Sequence, residues 1–156
     1  MHGRNVWLAG LAIAASGCAQ TEAESSQARD QATMLGTQVL TAETAKTTEE
    51  EWGTFVEYFA GETHGVSDLL SGTATINPGL EIHPPHRHAE EEFLMVIAGE
   101  GEWTVGEETF PAKQGDMIYA AAWDTHGIKN TGDTPLTFVF WKWNSNGLPV
   151  PVDPQL

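Results

Sequence analysis

The chain has 156 residues, of which 7 are Lys or Arg and 22 are Asp or Glu, giving a formal net charge of −15. That balance excludes nucleic acid and anionic lipid surfaces as partners, because both are held by clustered basic side chains that this chain lacks. A single cysteine excludes an internal disulfide, so stability has to come from packing and from whatever the fold binds.

At the amino terminus, Met1-His2-Gly3-Arg4-Asn5 carries one firm positive charge, residues 6–15 form an apolar run of ten, and Ser16-Gly17-Cys18 follows. The run is too short to span a bilayer and reads as the core of an export signal over residues 1–17. The small residues before Cys18 resemble the lipobox of bacterial lipoproteins, which implies lipidation of Cys18 after cleavage and contact with a membrane through that lipid only. Ala19, rather than aspartate, implies a periplasmic lipoprotein anchored in the outer membrane. An ordinary signal peptide, leaving Cys18 as a free thiol on a secreted protein, is the alternative. Residues 18–51 contain no aromatic side chain and are rich in Gln, Thr, Ser, Ala and Glu. Such a composition cannot build a packed core and predicts a tether, with Val39-Leu40 as a candidate first short strand.

Residues 52–146 then have the size of one domain, followed by a tail over 147–156. Short apolar or alternating runs recur at 73–76, 92–97, 102–105, 108–110, 116–120, 127–129 and 136–143. Turn residues separate them: Asn77-Pro78-Gly79, Gly99-Glu100-Gly101, Val105-Gly106-Glu107 and Asn130-Thr131-Gly132-Asp133. No stretch keeps a helical apolar period, so the domain is predicted to be all-β and antiparallel.

His86, His88, Glu92 and His126 carry the most chemistry. In His86-Arg87-His88 the histidines are two apart, so an extended backbone projects both rings from one face and Arg87 from the other. Pro84 and Pro85 argue against a helix there. Glu92 begins a strand that ends at Gly99, and His126 arrives from a second hairpin. Three imidazoles and a carboxylate suit one divalent transition ion, Fe, Mn, Ni, Cu or Zn, and leave positions open for a small molecule.

These residues resemble the two motifs of the cupin superfamily. The first motif is matched by Gly79, His86, His88, Glu92 and Gly99, with one extra residue before His86. The second is matched by Gly115, His126 and Asn130, with Ala121 in place of its proline and Trp123 in place of its glycine. All four ligand positions are kept and two turn residues are not. The resemblance spans about 73–143 and implies an antiparallel jelly-roll β-barrel, the double-stranded β-helix, assembled as a homodimer. It also implies a metal held by His86, His88, Glu92 and His126. For function it implies a small-molecule metalloenzyme, dioxygenase- or isomerase-like; a non-catalytic binder of metal or of a small ligand is the alternative.

The remaining residues sort around that set. Glu90 and Glu91 compete with Glu92, and the six-residue gap to Gly99 decides for Glu92. His83, three before His86, is expected on a loop or the surface, as is His64. Most aromatics are expected to fill the barrel or a dimer interface. Trp123, three residues before His126, and Trp103 are expected as pocket wall. Tyr119 and Asp124 are the nearest candidates for proton transfer, and Asn130 is expected to fix a turn.

Overall fold

Alternation of apolar and polar side chains sorts residues 34–156, the part described by a computed structural model, into antiparallel strands: β1 (Lys46–Glu50), β2 (Gly53–Gly61), β3 (Val66–Ile76), β4 (Glu91–Ala98), β5 (Glu100–Val105), β6 (Glu108–Lys113), β7 (Met117–Ala120), β8 (His126–Lys129) and β9 (Leu136–Ser145). No helix occurs among the described residues. The signal expected at 1–17, the lipidation expected at Cys18 and the start of the expected tether lie outside them.

Two sheets form, in the orders β1-β2-β3-β9-β4-β7 and β6-β5-β8. The core between them follows the two-residue period of strands. Ala74 and Ile76 of β3, Leu94 and Val96 of β4, and Leu136, Phe138 and Phe140 of β9 are buried, and their odd-numbered neighbours point the other way. Trp103, Ala112 and Ile128 close the core from the small sheet. This is the expected antiparallel jelly roll.

The domain begins earlier than composition suggests. β1 pairs with β2 in register from Lys46↔Glu57 to Glu50↔Gly53, although all five of its residues are exposed. An edge strand needs no apolar face when one side of its backbone is already paired. Val39 and Leu40 lie outside any strand, so the candidate short strand there is replaced by β1. Residues 147–156 return to the barrel: Asp153 pairs with Arg87 at 2.9 Å, and the Pro151 carbonyl accepts from Trp123 Nε1 at 2.7 Å.

Candidate metal centre

Strand phase sets the floor of the site. Glu92 shares the inward face of β4 with Leu94 and Val96 and is 7% exposed, and His126 opens β8 on the inward side with Ile128. The Pro-rich segment before His88 is irregular but locked in place. His86 N–H donates to the His126 carbonyl at 3.0 Å and His126 N–H to the His86 carbonyl at 2.9 Å, one antiparallel bridge joining the two ligand-bearing segments. Trp123 N–H donates to the His88 carbonyl at 2.7 Å. Arg87 faces away toward Asp153, as the extended spacing predicts.

One ligand nitrogen from each of His86, His88 and His126 lies within 4.8 Å of the other two. Donors placed about 2.1 Å from one ion sit roughly 3–4 Å apart, so small side-chain adjustments bring all three onto one cation. Glu92 Oε2 lies 3.2 Å from His88 Nε2 and 3.1 Å from His126 Nε2. The outer nitrogens of both rings have fixed partners. His88 Nδ1 lies 3.0 Å from the Glu90 carbonyl and His126 Nδ1 2.8 Å from the Asp124 carbonyl. Each carbonyl holds the proton on Nδ1 and aims Nε2 at the site.

Electrostatics agree with this assignment. Burial raises the Glu92 carboxyl, but hydrogen bonds from His126 and His88 outweigh it and hold the group ionised, down to about 2. Burial, together with the neighbouring imidazoles, lowers His86 to about 4, which keeps it neutral and able to ligate. Burial also disfavours the charged form of His126, yet the Glu92 hydrogen bond and the Asp124 carbonyl raise it on balance. A proton on His126 thus bridges to Glu92 where a cation fits. His86 Nδ1 is buried without a hydrogen-bond partner among the described residues, which costs free energy unless something else satisfies it. Three converging imidazoles with His86 held neutral, an ionised carboxylate and an orphaned nitrogen fit a divalent transition ion.

These side chains line a cavity of about 180 Å³ whose apolar walls include Phe55, Leu70, Ile82, Phe138 and Phe140. His83 is exposed on its loop, as expected, but also lines this cavity with its ring 4.0 Å from that of His86. Lys142 lines it too, and sequence reasoning missed it. Its signal was the period of β9, since Lys142 is in phase with Phe138 and Phe140.

The expected pocket wall and proton-transfer groups are not brought there. Trp103 is 5% exposed and packs in the hydrophobic core. Trp123 stands at the glycine position of the second motif with φ 68°, a left-handed backbone, and its ring is held by Pro151 and lies 6.0 Å from the Arg87 guanidinium. Those contacts tie the ring to the C-terminal segment instead of the cavity. Tyr119 is half-exposed on the outer face of β7 and donates a hydrogen bond to Glu91, which raises its pKa. Asp124 is exposed and contributes its backbone carbonyl to His126. Asn130 does fix a turn: fully buried, it donates from Nδ2 to the Ile76 and Thr134 carbonyls at 2.8 and 2.9 Å and accepts from Gly132 N–H at 3.0 Å.

Comparison with known proteins agrees with the fold. Residues 72–142 match the cupin domain family. Gentisate 1,2-dioxygenase of a Streptomyces species is 28% identical over 99 residues, 63% of this chain and 26% of that protein. 5-Nitrosalicylic acid 1,2-dioxygenase of a Bradyrhizobium species is 34% identical over 76 residues, 47% of this chain and 36% of that one. An oxalate-binding protein of Thermotoga maritima is 34% identical over 55 residues, 35% of this chain and 46% of that one. The matches thus span less than half the length of these relatives. Among solved structures, a predicted oxalate decarboxylase from Thermotoga maritima superposes with a TM-score of 0.57 at 20% identity, covering 69% of this chain and 99% of that one. A double-stranded β-helix protein from Klebsiella pneumoniae superposes with a TM-score of 0.57 at 23% identity, covering 72% and 95%.

Proposed function

We propose that this chain is a cupin that holds one divalent transition metal through His86, His88, Glu92 and His126 and acts on a small organic molecule in the adjoining cavity, as a dioxygenase-type oxidoreductase. The observation that carries the reading is the convergence of three imidazoles and an ionised carboxylate beside a cavity with apolar walls. The two dioxygenase relatives support the oxidative form of the chemistry. When bound, a redox-active ion supplies Lewis acidity and access to O2 chemistry. The chain's own part is to orient and shield. The carbonyls of Glu90 and Asp124 fix the ligand tautomers, and the phenylalanines keep bulk water from the reacting molecule.

A non-catalytic binding protein is the second reading. It is favoured by the position of Tyr119 and Asp124 outside the cavity and by the oxalate-binding relative. Oxygen uptake separates the two. Fe(II)-loaded protein is expected to consume O2 in step with loss of an organic substrate; anaerobic turnover points to an isomerase or lyase, and no turnover with any metal to a binder.

The reading also makes this an exported lipoprotein facing the periplasm, supported by residues 6–18 of the sequence. Metabolic labelling with palmitate is expected to tag the wild type and not Cys18→Ser. Homodimerisation is supported by Phe93, Tyr119 and Trp141, which lie side by side across β7, β4 and β9 on the outer face, with Tyr119 and Trp141 substantially exposed. Gel filtration with light scattering tests it, and a monomer excludes it.

A further inference from the structure

Lys142 does not belong to the ligand set, yet it sits directly beside it. It is the cross-strand partner of Glu92 between β9 and β4 and of Leu70 between β9 and β3. Within the cavity lining Glu92 is the one carboxylate and Lys142 the one lysine or arginine. Glu92 is already engaged by His88 and His126. The nearest acidic oxygen to Lys142 Nζ is Glu90 Oε1 at 3.6 Å, a loose pair, and among the described residues no acceptor forms a hydrogen bond with it. An ammonium carries three donors. With its side chain 29% exposed, this one is left with donors to offer at the cavity wall.

We propose that Lys142 is the anchor for an anionic group on the cavity's ligand, and that the ligand is a single-ring aromatic carboxylate. This inference rests on the reading of the cavity as a small-molecule site and names the substrate class and its holding group. Size and wall chemistry point the same way. An apolar cavity of about 150 Å³ accommodates benzene, and this one is about 180 Å³ with Phe55, Ile82, Phe138 and Phe140 in its walls. A ring against those side chains, with its carboxylate on Lys142, lies next to the donor cluster because Lys142 and Glu92 are paired across the strands. The chain carries −15 overall, so an anion enters because the cavity is locally different, with a cationic group at close range where charge-assisted hydrogen bonds form. Glu90 has a positioning part: its Oε1 faces Lys142, and its Oε2 lies 3.4 Å from His88 Nδ1. One carboxylate therefore spans the anion anchor and a ligand imidazole.

The test titrates full-length protein, zinc-loaded and after chelation, with benzoate and with its neutral counterpart benzamide, in wild type, Lys142→Met and Lys142→Arg. Lys142→Met is expected to weaken benzoate by roughly 10- to 100-fold, the worth of one hydrogen bond to a charged group. Benzamide affinity and zinc content stay at the wild-type level, and Lys142→Arg recovers most of the loss. Unchanged benzoate affinity in Lys142→Met, equal weakening of both probes, or no benzoate binding to the wild type in either form overturns the assignment. Metal content of the same samples separates the two ideas. Stoichiometric zinc with benzoate indifferent to Lys142→Met sinks the anchor alone, whereas wild type that holds none of Fe, Mn, Ni, Cu or Zn sinks the metal reading and leaves the chelated titration to judge Lys142.

Discussion

Glu90, Glu91 and Glu92 are three copies of one side chain with three different partners. Glu92 points inward between His88 and His126, Glu91 accepts from Tyr119 on the outer face, and Glu90 lies near both His88 and Lys142. Strand phase separates Glu91 from Glu92, and only Glu92 is buried as it gains imidazole partners. Glu92→Gln keeps the shape and removes the charge. Metal affinity is expected to fall beyond the roughly 10- to 100-fold that an outer-shell partner costs, measured by competition with a chromophoric chelator. Glu91→Gln is expected to leave it unchanged. The metal-free site also sets a pH profile. His86 is lowered from 6.5 to about 4, so between those values the unfolded chain binds the extra proton; its stabilising contribution is full above 6.5 and is lost as pH falls through that window. Glu92, lowered from 4.5 to about 2, keeps its contribution above 4.5 and loses it as pH falls toward 2. His126 is raised, so its contribution is present below 6.5 and is lost as pH rises through its folded value. Urea unfolding of chelated protein is therefore expected to show greatest stability near pH 6.5 and decline on both sides, and a profile flat from 4 to 6.5 contradicts the assignment.

Elements hold these side chains in place through a few positions where the backbone has little freedom. Gly72 of β3 is one: a Cβ there would come within 2.2 Å of the Val56 carbonyl oxygen and 3.1 Å of the Phe140 ring. Gly72→Ala is expected to cost about 1–3 kcal/mol through overpacking, read from denaturant midpoints. Trp123 is another, a large residue in a left-handed turn that holds the His88 carbonyl from its backbone and the C-terminal segment from its ring. Trp123→Phe removes the Nε1 bond to Pro151 and is expected to cost about 1 kcal/mol with metal stoichiometry unchanged. The core strands β3, β4 and β9 were legible because their inward residues alternate cleanly, and the ligands because their spacing survives. β1 was not, since Lys46-Thr47-Thr48-Glu49-Glu50 has no apolar face and is a strand only by pairing. β2 was hidden for the opposite reason: Phe55-Val56-Glu57-Tyr58-Phe59 lacks strict alternation, and a register shift lies between Glu57 and Phe59. Trp123 misled because sequence placed a ring near His126 but could not show that Pro151, 28 residues later, takes hold of it. Lys142 was overlooked among the tryptophans that flank it, although its even-numbered phase with Phe138 and Phe140 marks it as inward.

At the scale of the whole molecule, an acidic chain surrounds a site built from imidazoles, one carboxylate and one lysine. Acidic charge draws cations toward the chain without selecting among them; the convergent donors make the selection. An ion that binds only the folded chain stabilises it by mass action, by about 2.7 kcal/mol at a free concentration 100 times its dissociation constant. Chelation is accordingly expected to lower the midpoint of thermal unfolding, and resupply of the ion to restore it. The outcome that matters most is the ion itself. Elemental analysis of full-length protein, supplied in turn with Fe, Mn, Ni, Cu and Zn and then desalted, is predicted to find at least one of these ions bound stoichiometrically in the wild type and lost from the His86→Ala, His88→Ala double variant. Wild type that retains none of them, or a double variant that retains as much as the wild type, contradicts the account.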